Sequence, residues 1–174
     1  MRRIGADFIV NVTLNKNRAV TGVFSGDLDL AHRAGVSALE EYVIDTIDEP
    51  VDIAITCGGG FPLDQTFYQA IKGMVAAKEI LKPGGTIIFT AEMRQGLGSE
   101  SFCDLIQQLT TPVDFLHLLE KKDYHQMDQW MLQDHLNVCT HAGAIYTVTE
   151  GLSEVFIQKA FMQPYGSLQA ALQV

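Results

Sequence analysis

Apolar and polar residues alternate over 8–14 and again over 19–24, with an Asn-containing break between the two runs. Two extended runs joined by such a break predict a β-hairpin. From position 31 onward the apolar residues instead recur every three or four positions, as on one face of a helix. The pattern therefore predicts a hairpin followed by an amphipathic helix over about 29–48, which Pro50 ends.

The remainder of the chain alternates strand-like and helix-like patterns. An apolar strand over 51–56 runs into a glycine loop and a helix over 63–81, and after a Pro-Gly-Gly turn the segment 86–91 is apolar on both faces. Such a strand belongs in the interior of a parallel or mixed sheet. The later segments predict helices near 100–110, 112–120 and 126–137, a strand over 144–149, and a helix from 153 to about 161, with a terminal turn opened at 167.

This order of elements predicts one α/β domain over residues 1–174. Its sheet is expected to be mixed and mostly parallel, with the hairpin at its N-terminal side. Helices are expected on both faces, which makes a three-layer sandwich.

Composition narrows the classes of function. The chain has 174 residues, 47% of them hydrophobic, and a net charge of −9. That charge disfavours nucleic acids and anionic membranes as partners, and the apolar runs fall short of a membrane span. Three widely spaced cysteines without a CxxC pair indicate neither a disulfide framework nor a zinc site, and a reducing, cytoplasmic compartment fits best.

The first candidate for chemistry is the loop Gly58, Gly59 and Gly60, which follows a strand and precedes a helix. In open α/β sheets, ligands bind beyond the carboxyl ends of the strands, where the loops near 57–60, 91–98 and 149–151 are expected to meet. The glycines either let backbone N–H groups and the helix start bind an anion, or they only permit a tight turn. The sequence has no GxGxxG or P-loop motif.

Gln69 and Lys72 lie three residues apart and are therefore neighbours on one helix face. An amide beside an ammonium group can hold a carboxylate or a developing alkoxide, although the same pattern also describes a solvated helix face. Trp130, the single tryptophan, is by its size alone more typical of a core. The five histidines have irregular spacing and no serine lies in a nucleophile elbow, so neither a metal site nor a self-contained catalytic group is expected.

Several strings, taken together, resemble the C-terminal domain of the LarA-like nickel-dependent lactate racemases. They are DFIVNVTLNKN, AHRAG at 31–35, GGGFPLDQTFYQAIKGMVAA, SESF at 99–102 and MDQW at 127–130. The resemblance covers nearly the whole chain in order, and its long glycine-loop string is the most specific part.

The resemblance implies one wall of a cleft in which a nickel-pincer nucleotide takes a hydride from C2 of a 2-hydroxy acid and returns it to either face. Gln69 and Lys72 match residues that contact the substrate or its keto intermediate, and Trp130 matches the tryptophan that closes the site. Nothing here matches the N-terminal domain, which carries the cofactor lysine, the nickel histidine and the acid–base histidines. We therefore expect a domain without catalytic residues, nickel or bound cofactor of its own, inactive in isolation.

Two alternatives stay open. The string AAKEILKPGGTIIF echoes a helix, turn and strand of class I methyltransferases, although the upstream loop lacks the acidic residue and glycine spacing of that class. A non-catalytic binding or assembly module is the other. An isolated half of an enzyme is also expected to expose an apolar patch at which it could pair with itself as a homo-oligomer.

Overall fold

The computed structural model describes residues 5–121 and 123–174. The chain folds into two compact units that are divided between Asp48 and Glu49. The first holds the predicted hairpin and first helix, and the second holds the parallel sheet. That the two units form a single domain of a larger enzyme stays a prediction.

In the first unit, β1 (Ile9–Leu14) and β2 (Val20–Gly26) pair antiparallel and α1 (Leu28–Val43) follows directly. Asp27 starts this helix, since its side chain accepts hydrogen bonds from the backbone N–H groups of Asp29 and Leu30. The hairpin prediction is confirmed. The helix ends at Val43 instead of about 48, at a last turn that has no basic residue to favour the helix C-terminus.

In the second unit, four strands form a parallel sheet in the order β3-β4-β5-β6. The hairpin is a separate two-stranded sheet. The strands are β3 (Val51–Cys57), β4 (Leu81–Thr90), β5 (Ala144–Val148) and β6 (Gln163–Pro164). The helices are α2 (Phe67–Lys78), α3 (Glu100–Gln108), α4 (Pro112–Leu119), α5 (Gln129–His141), α6 (Glu154–Lys159) and α7 (Leu168–Ala171). The α/β class is confirmed.

Side-chain caps set most of these helix starts. Ser99, Thr111, Ser153 and Ser167 each accept a hydrogen bond from a backbone N–H in the first turn of the helix that follows. Pro112 then occupies the first turn of α4, where its missing N–H costs nothing. The local sequence patterns that predict these helices therefore correspond to side-chain caps in the structure.

Boundaries differ from expectation in the segment that leads to and from α2, which ends at Lys78 and not at 81. This helix starts at Phe67, after turns at 61–66, and not at Leu63. The Pro-Gly-Gly stretch expected as a turn lies inside β4, next to a register shift between β3 and β4 and close to the Asp52 carbonyl.

The core of the second unit is one cluster centred on α2, β4, α3 and α5. Its fully buried side chains include Phe67, Ile71, Phe89, Phe102 and Leu132. Burial of such residues supplies most of the stability of a small domain. Because α2 and α5 both contribute to this core, its packing fixes the position of one helix relative to the other.

Candidate functional site

The carboxyl ends of the parallel strands meet around a cavity of about 500 Å³. Cys57 and Gly60 line it from the end of β3, Ala91 and Glu92 from the end of β4, and Thr149 from the end of β5. The structure thus brings together the three loops that the sequence places at one rim, as parallel topology requires.

The glycine loop has a clear packing reason. A Cβ on Gly58 would lie 2.7 Å from Cβ of Asp64 and 3.0 Å from Cβ of Ala70, and the N–H of Gly58 donates to the Thr90 carbonyl at 3.0 Å. Gly59 and Gly60 adopt positive φ angles of 92° and 71°, which side chains disfavour. The tight-turn interpretation therefore has direct structural support.

The start of α2 is already hydrogen-bonded by the protein. The N–H of Phe67 donates to the Gly96 carbonyl at 2.9 Å and that of Tyr68 to the Leu97 carbonyl at 3.0 Å, while Thr66 caps the N–H of Gln69. The helix start therefore offers fewer amides to an anion than the sequence suggests. An anion site at the glycine loop stays a prediction.

A buried carboxylate that the sequence did not single out holds this loop in place. Asp64 is 4% exposed and accepts from the N–H of Glu92 at 3.0 Å and from the Gln65 side chain at 3.3 Å. The same amide of Gln65 also donates to Glu92 Oε2 at 3.0 Å. The network ties the turn before α2 to the loop after β4, and the only sequence signal for it is the LDQ within the glycine-loop string.

The structure brings Gln69 and Lys72 into direct contact. Both side chains lie on the exposed face of α2, opposite Phe67, Ile71 and Met74, and Lys72 Nζ donates to Gln69 Oε1 at 2.6 Å. This contact orients the amide of Gln69 with its NH₂ group turned away from the ammonium group.

Lys72 has an uncharged hydrogen-bond partner in the structure. Within residues 5–121 and 123–174, Lys72 forms no ion pair, and its partner is a neutral amide. Four other cationic side chains face carboxylates: Arg33 with Asp29, Lys78 with Glu79, Lys82 with Asp52 and Arg94 with Glu92. The positive charge of Lys72 is therefore available to a ligand.

Trp130 stands beside the same helix and is not a core residue. Its side chain is 51% exposed, and its ring meets the Tyr68 ring edge to face with centroids 5.8 Å apart. Tyr68 packs in the same manner on buried Phe102 at 5.2 Å. Tyr68 and Lys72 are one helical turn apart, so Trp130 flanks the face of α2 that carries Gln69 and Lys72.

Asp128 connects the SESF and MDQW strings. Its carboxylate accepts a hydrogen bond from the Tyr68 hydroxyl at 3.3 Å and contacts the Ser99 hydroxyl. Burial and the neighbouring Asp128 raise the pKa of Tyr68 above its usual value. Asp128 precedes α5 but makes no side-chain cap, and its φ of 65° is in the left-handed region. Asp128 thus does not cap α5, and its carboxylate instead connects the starts of α2, α3 and α5. The sequence alone does not predict this connection.

His135 connects α5 to α2 inside the core. It is fully buried, Nε2 lies 2.8 Å from the Ala160 carbonyl, and its ring meets Phe67 edge to face at 5.1 Å. Burial lowers the pKa of His135 to about 4, and burial also raises the pKa of the adjacent Cys139 thiol to about 12. Both groups are therefore neutral packing residues at neutral pH.

In the part of the chain that the structure describes, no group of three or more His, Cys, Asp or Glu side chains could hold a metal ion. Within the same ranges, no helix has the length and apolar character needed to cross a membrane.

Comparison with known proteins gives consistent matches. The family model of the lactate racemase C-terminal domain matches residues 46–174. The chain is 35% identical over 169 residues to a lactate racemase of Lactiplantibacillus plantarum and 34% identical over 170 residues to one of Thermoanaerobacterium thermosaccharolyticum. These alignments cover 95% and 96% of this chain but 39% of each relative, so the chain spans about two fifths of their length.

Solved structures agree. The lactate racemase apoprotein of Thermoanaerobacterium thermosaccharolyticum superposes with a TM-score of 0.87 at 30% identity, over 99% of this chain and 41% of that one. A Thermotoga maritima protein shares the fold with a TM-score of 0.59 at 14% identity, over 91% of this chain and 42% of that one. On these grounds, the chain belongs to the lactate racemase C-terminal domain family.

Proposed function

We propose that this chain supplies the substrate-binding wall of a lactate racemase-like enzyme that acts on a small 2-hydroxy acid. The observation that carries the proposal is the available charge of Lys72, held 2.6 Å from the Gln69 amide oxygen on an exposed helix face beside Trp130. The family membership argues against the methyltransferase alternative.

Each of these side chains has a role in the proposal that follows from its chemistry. The Lys72 ammonium group binds the carboxylate of the hydroxy acid. Gln69, whose oxygen is engaged by Lys72, presents its NH₂ group to the C2 oxygen, where it can donate to a hydroxyl or a carbonyl. Trp130 excludes water, which strengthens both contacts by lowering the local dielectric.

The described residues do not fit as a nickel site on their own, because no cluster of three ligating side chains occurs among them. The proposal therefore assigns the nickel-pincer nucleotide, and the transfer of hydride at C2, to the N-terminal region of the racemase. That region is carried either on the same polypeptide or on a separate one. Without it, this chain is expected to be inactive.

The cellular setting belongs to the same proposal. Cys57, Cys103 and Cys139 are all free thiols. Free thiols, including an exposed one at Cys57, are typical of a reducing, cytoplasmic compartment.

The test uses a fusion of the N-terminal region of the Thermoanaerobacterium thermosaccharolyticum lactate racemase with this chain. Lys72→Met is expected to lower kcat/KM for lactate by about tenfold to 150-fold, the value of one charged hydrogen bond. Lys78→Met is the matched control, because Lys78 lies on the same helix but pairs with Glu79 at 3.1 Å. Equal activities of the two variants would exclude Lys72 from substrate binding.

A further inference from the structure

The first unit lacks a core of its own. Among its described residues, 5–48, Ala31 is the only buried side chain. A cavity of about 720 Å³ lies between the hairpin and α1, lined in part by Phe24, Leu39 and Tyr42. A two-stranded hairpin and one helix that bury so little cannot account for their own stability.

The unit nevertheless has an ordered apolar face. We define the outer hairpin face as Val10, Val12, Leu14, Val20 and Val23, which are 50–62% exposed. These residues share one side of the hairpin, since Val12 pairs with Val23 and Leu14 with Val20 across the strands. The opposite side faces α1, where Gly35 approaches the Phe24 ring.

This face is typical of a sheet surface that belongs in a protein core. One side of the hairpin is packed against a helix, and the other carries mainly valine and leucine side chains, with Ser25 opposite Val10. Apolar side chains on the second side are typical of a sheet that is covered on both faces. Both strands are also edge strands, because the described sheet contains only β1 and β2. Edge strands leave backbone groups open for pairing with further strands.

The comparisons indicate which part of a racemase covers this face. The match to the C-terminal domain starts at residue 46, and the first unit ends at Asp48. Nevertheless, the racemase relatives match 95% and 96% of this chain, so they also contain the hairpin and α1. In those proteins, the segment that corresponds to the hairpin and α1 therefore falls outside the part that the family model of the C-terminal domain describes.

We propose that the first unit is the terminal piece of the N-terminal region of the racemase, and that the outer hairpin face packs into the core of that region. This chain would then contribute structure to both regions of the enzyme. This inference rests on the proposed function for the identity of the partner, but it concerns docking and not substrate.

Hydrogen exchange on the hairpin tests this inference. The chain alone is compared with its fusion to the N-terminal region of the Thermoanaerobacterium thermosaccharolyticum racemase. The amides of β1 and β2 are expected to exchange at least about tenfold more slowly in the fusion, because a covered hairpin opens less often. Unchanged exchange in the fusion would overturn the inference.

Variants locate the contact on the outer hairpin face. Val12→Asp with Val23→Asp is expected to abolish the added protection, and Val12→Thr with Val23→Thr to reduce it while preserving strand propensity. Leu172→Asp is the control, because Leu172 is 52% exposed but lies in the second unit. If Leu172→Asp had the same effect as the hairpin variants, the face would not be the contact.

The results differ if something other than the N-terminal region covers the outer hairpin face. A monomer whose hairpin is already protected in the chain alone would contradict the inference, and so would a dimer of the chain that Val12→Asp with Val23→Asp dissociates in light-scattering measurements. If the hairpin amides are protected in the fusion but the fusion does not racemise lactate, the inferred docking of the hairpin stands and only the proposed function is refuted. Racemisation by a fusion carrying Val12→Asp and Val23→Asp, with an unprotected hairpin, would refute the docking alone.

Discussion

Acidification is expected to destabilise the second unit through His135. This side chain is fully buried against Phe67, and its Nε2 lies 2.8 Å from the Ala160 carbonyl. Burial holds its pKa at about 4 in the folded protein, against an ordinary value of 6.5. In the unfolded chain the same imidazole takes up a proton as the pH falls through 6.5, whereas in the folded protein it does not.

The size of the effect follows from that difference in pKa. Stability is unaffected above pH 6.5, falls by about 1.4 kcal/mol per pH unit below it, and levels off below about pH 4, for a total loss of about 3 kcal/mol. The loss is expected to reach the candidate site, because His135 packs α5, which carries Trp130, against the start of α2.

Urea unfolding followed by Trp130 fluorescence, between about pH 7 and about pH 4.5, measures this effect. His135→Gln retains a side-chain N–H for the Ala160 carbonyl but cannot be protonated, so its stability is expected to fall less steeply over this range. Carboxylates titrate in both proteins, and the difference between the two slopes isolates His135. Parallel loss of stability in the two proteins would refute the assignment of His135 as a buried neutral group.

Three further substitutions test the packing around the site. Asp128→Asn replaces the charged acceptor of the Tyr68 hydroxyl by a neutral one, and is expected to cost about 1 kcal/mol in urea unfolding and to shift the fluorescence of the adjoining tryptophan; an unchanged spectrum would contradict its positioning role. Gly73→Ala places a Cβ 2.0 Å from the Cys57 carbonyl oxygen and is expected to lower the free energy of unfolding by about 3 kcal/mol. An unfolding temperature close to that of the unsubstituted chain would contradict this expectation. Phe102→Ala is expected to cost about 3–5 kcal/mol, and a loss below about 1 kcal/mol would show that its pocket collapses.

The elements that sequence reasoning located best are those with local signals. The predicted starts near Ser99, Thr111, Ser153 and Ser167 coincide with side-chain caps, which act within one helical turn. The sequence pattern predicts too early a start for α2, because the conformation of 61–66 depends on contacts from a distant loop. There, the N–H of Met93 donates to the Asp64 carbonyl, which no local pattern reveals.

The same distinction applies to the candidate site. The contact between Gln69 and Lys72 could be anticipated, since helical spacing alone makes them neighbours. The contact between Tyr68 and Asp128 could not, because these residues are sixty positions apart and meet only through the packing of α2 and α5. The resemblance assigns Trp130 to the site, whereas its size alone favours the core. Its role in closing the site stays a prediction until substrate binding is measured.

The most direct test of the central claim is a measurement of lactate racemisation with the two parts of the enzyme separated and joined. Enantiopure L-lactate and nickel-pincer nucleotide are supplied to this chain alone and to its fusion with the N-terminal region of the Thermoanaerobacterium thermosaccharolyticum racemase, and D-lactate is followed by chiral chromatography. We expect D-lactate from the fusion and none from the chain alone. Formation of D-lactate by the chain alone would contradict the account, because this chain would then contain a complete active site.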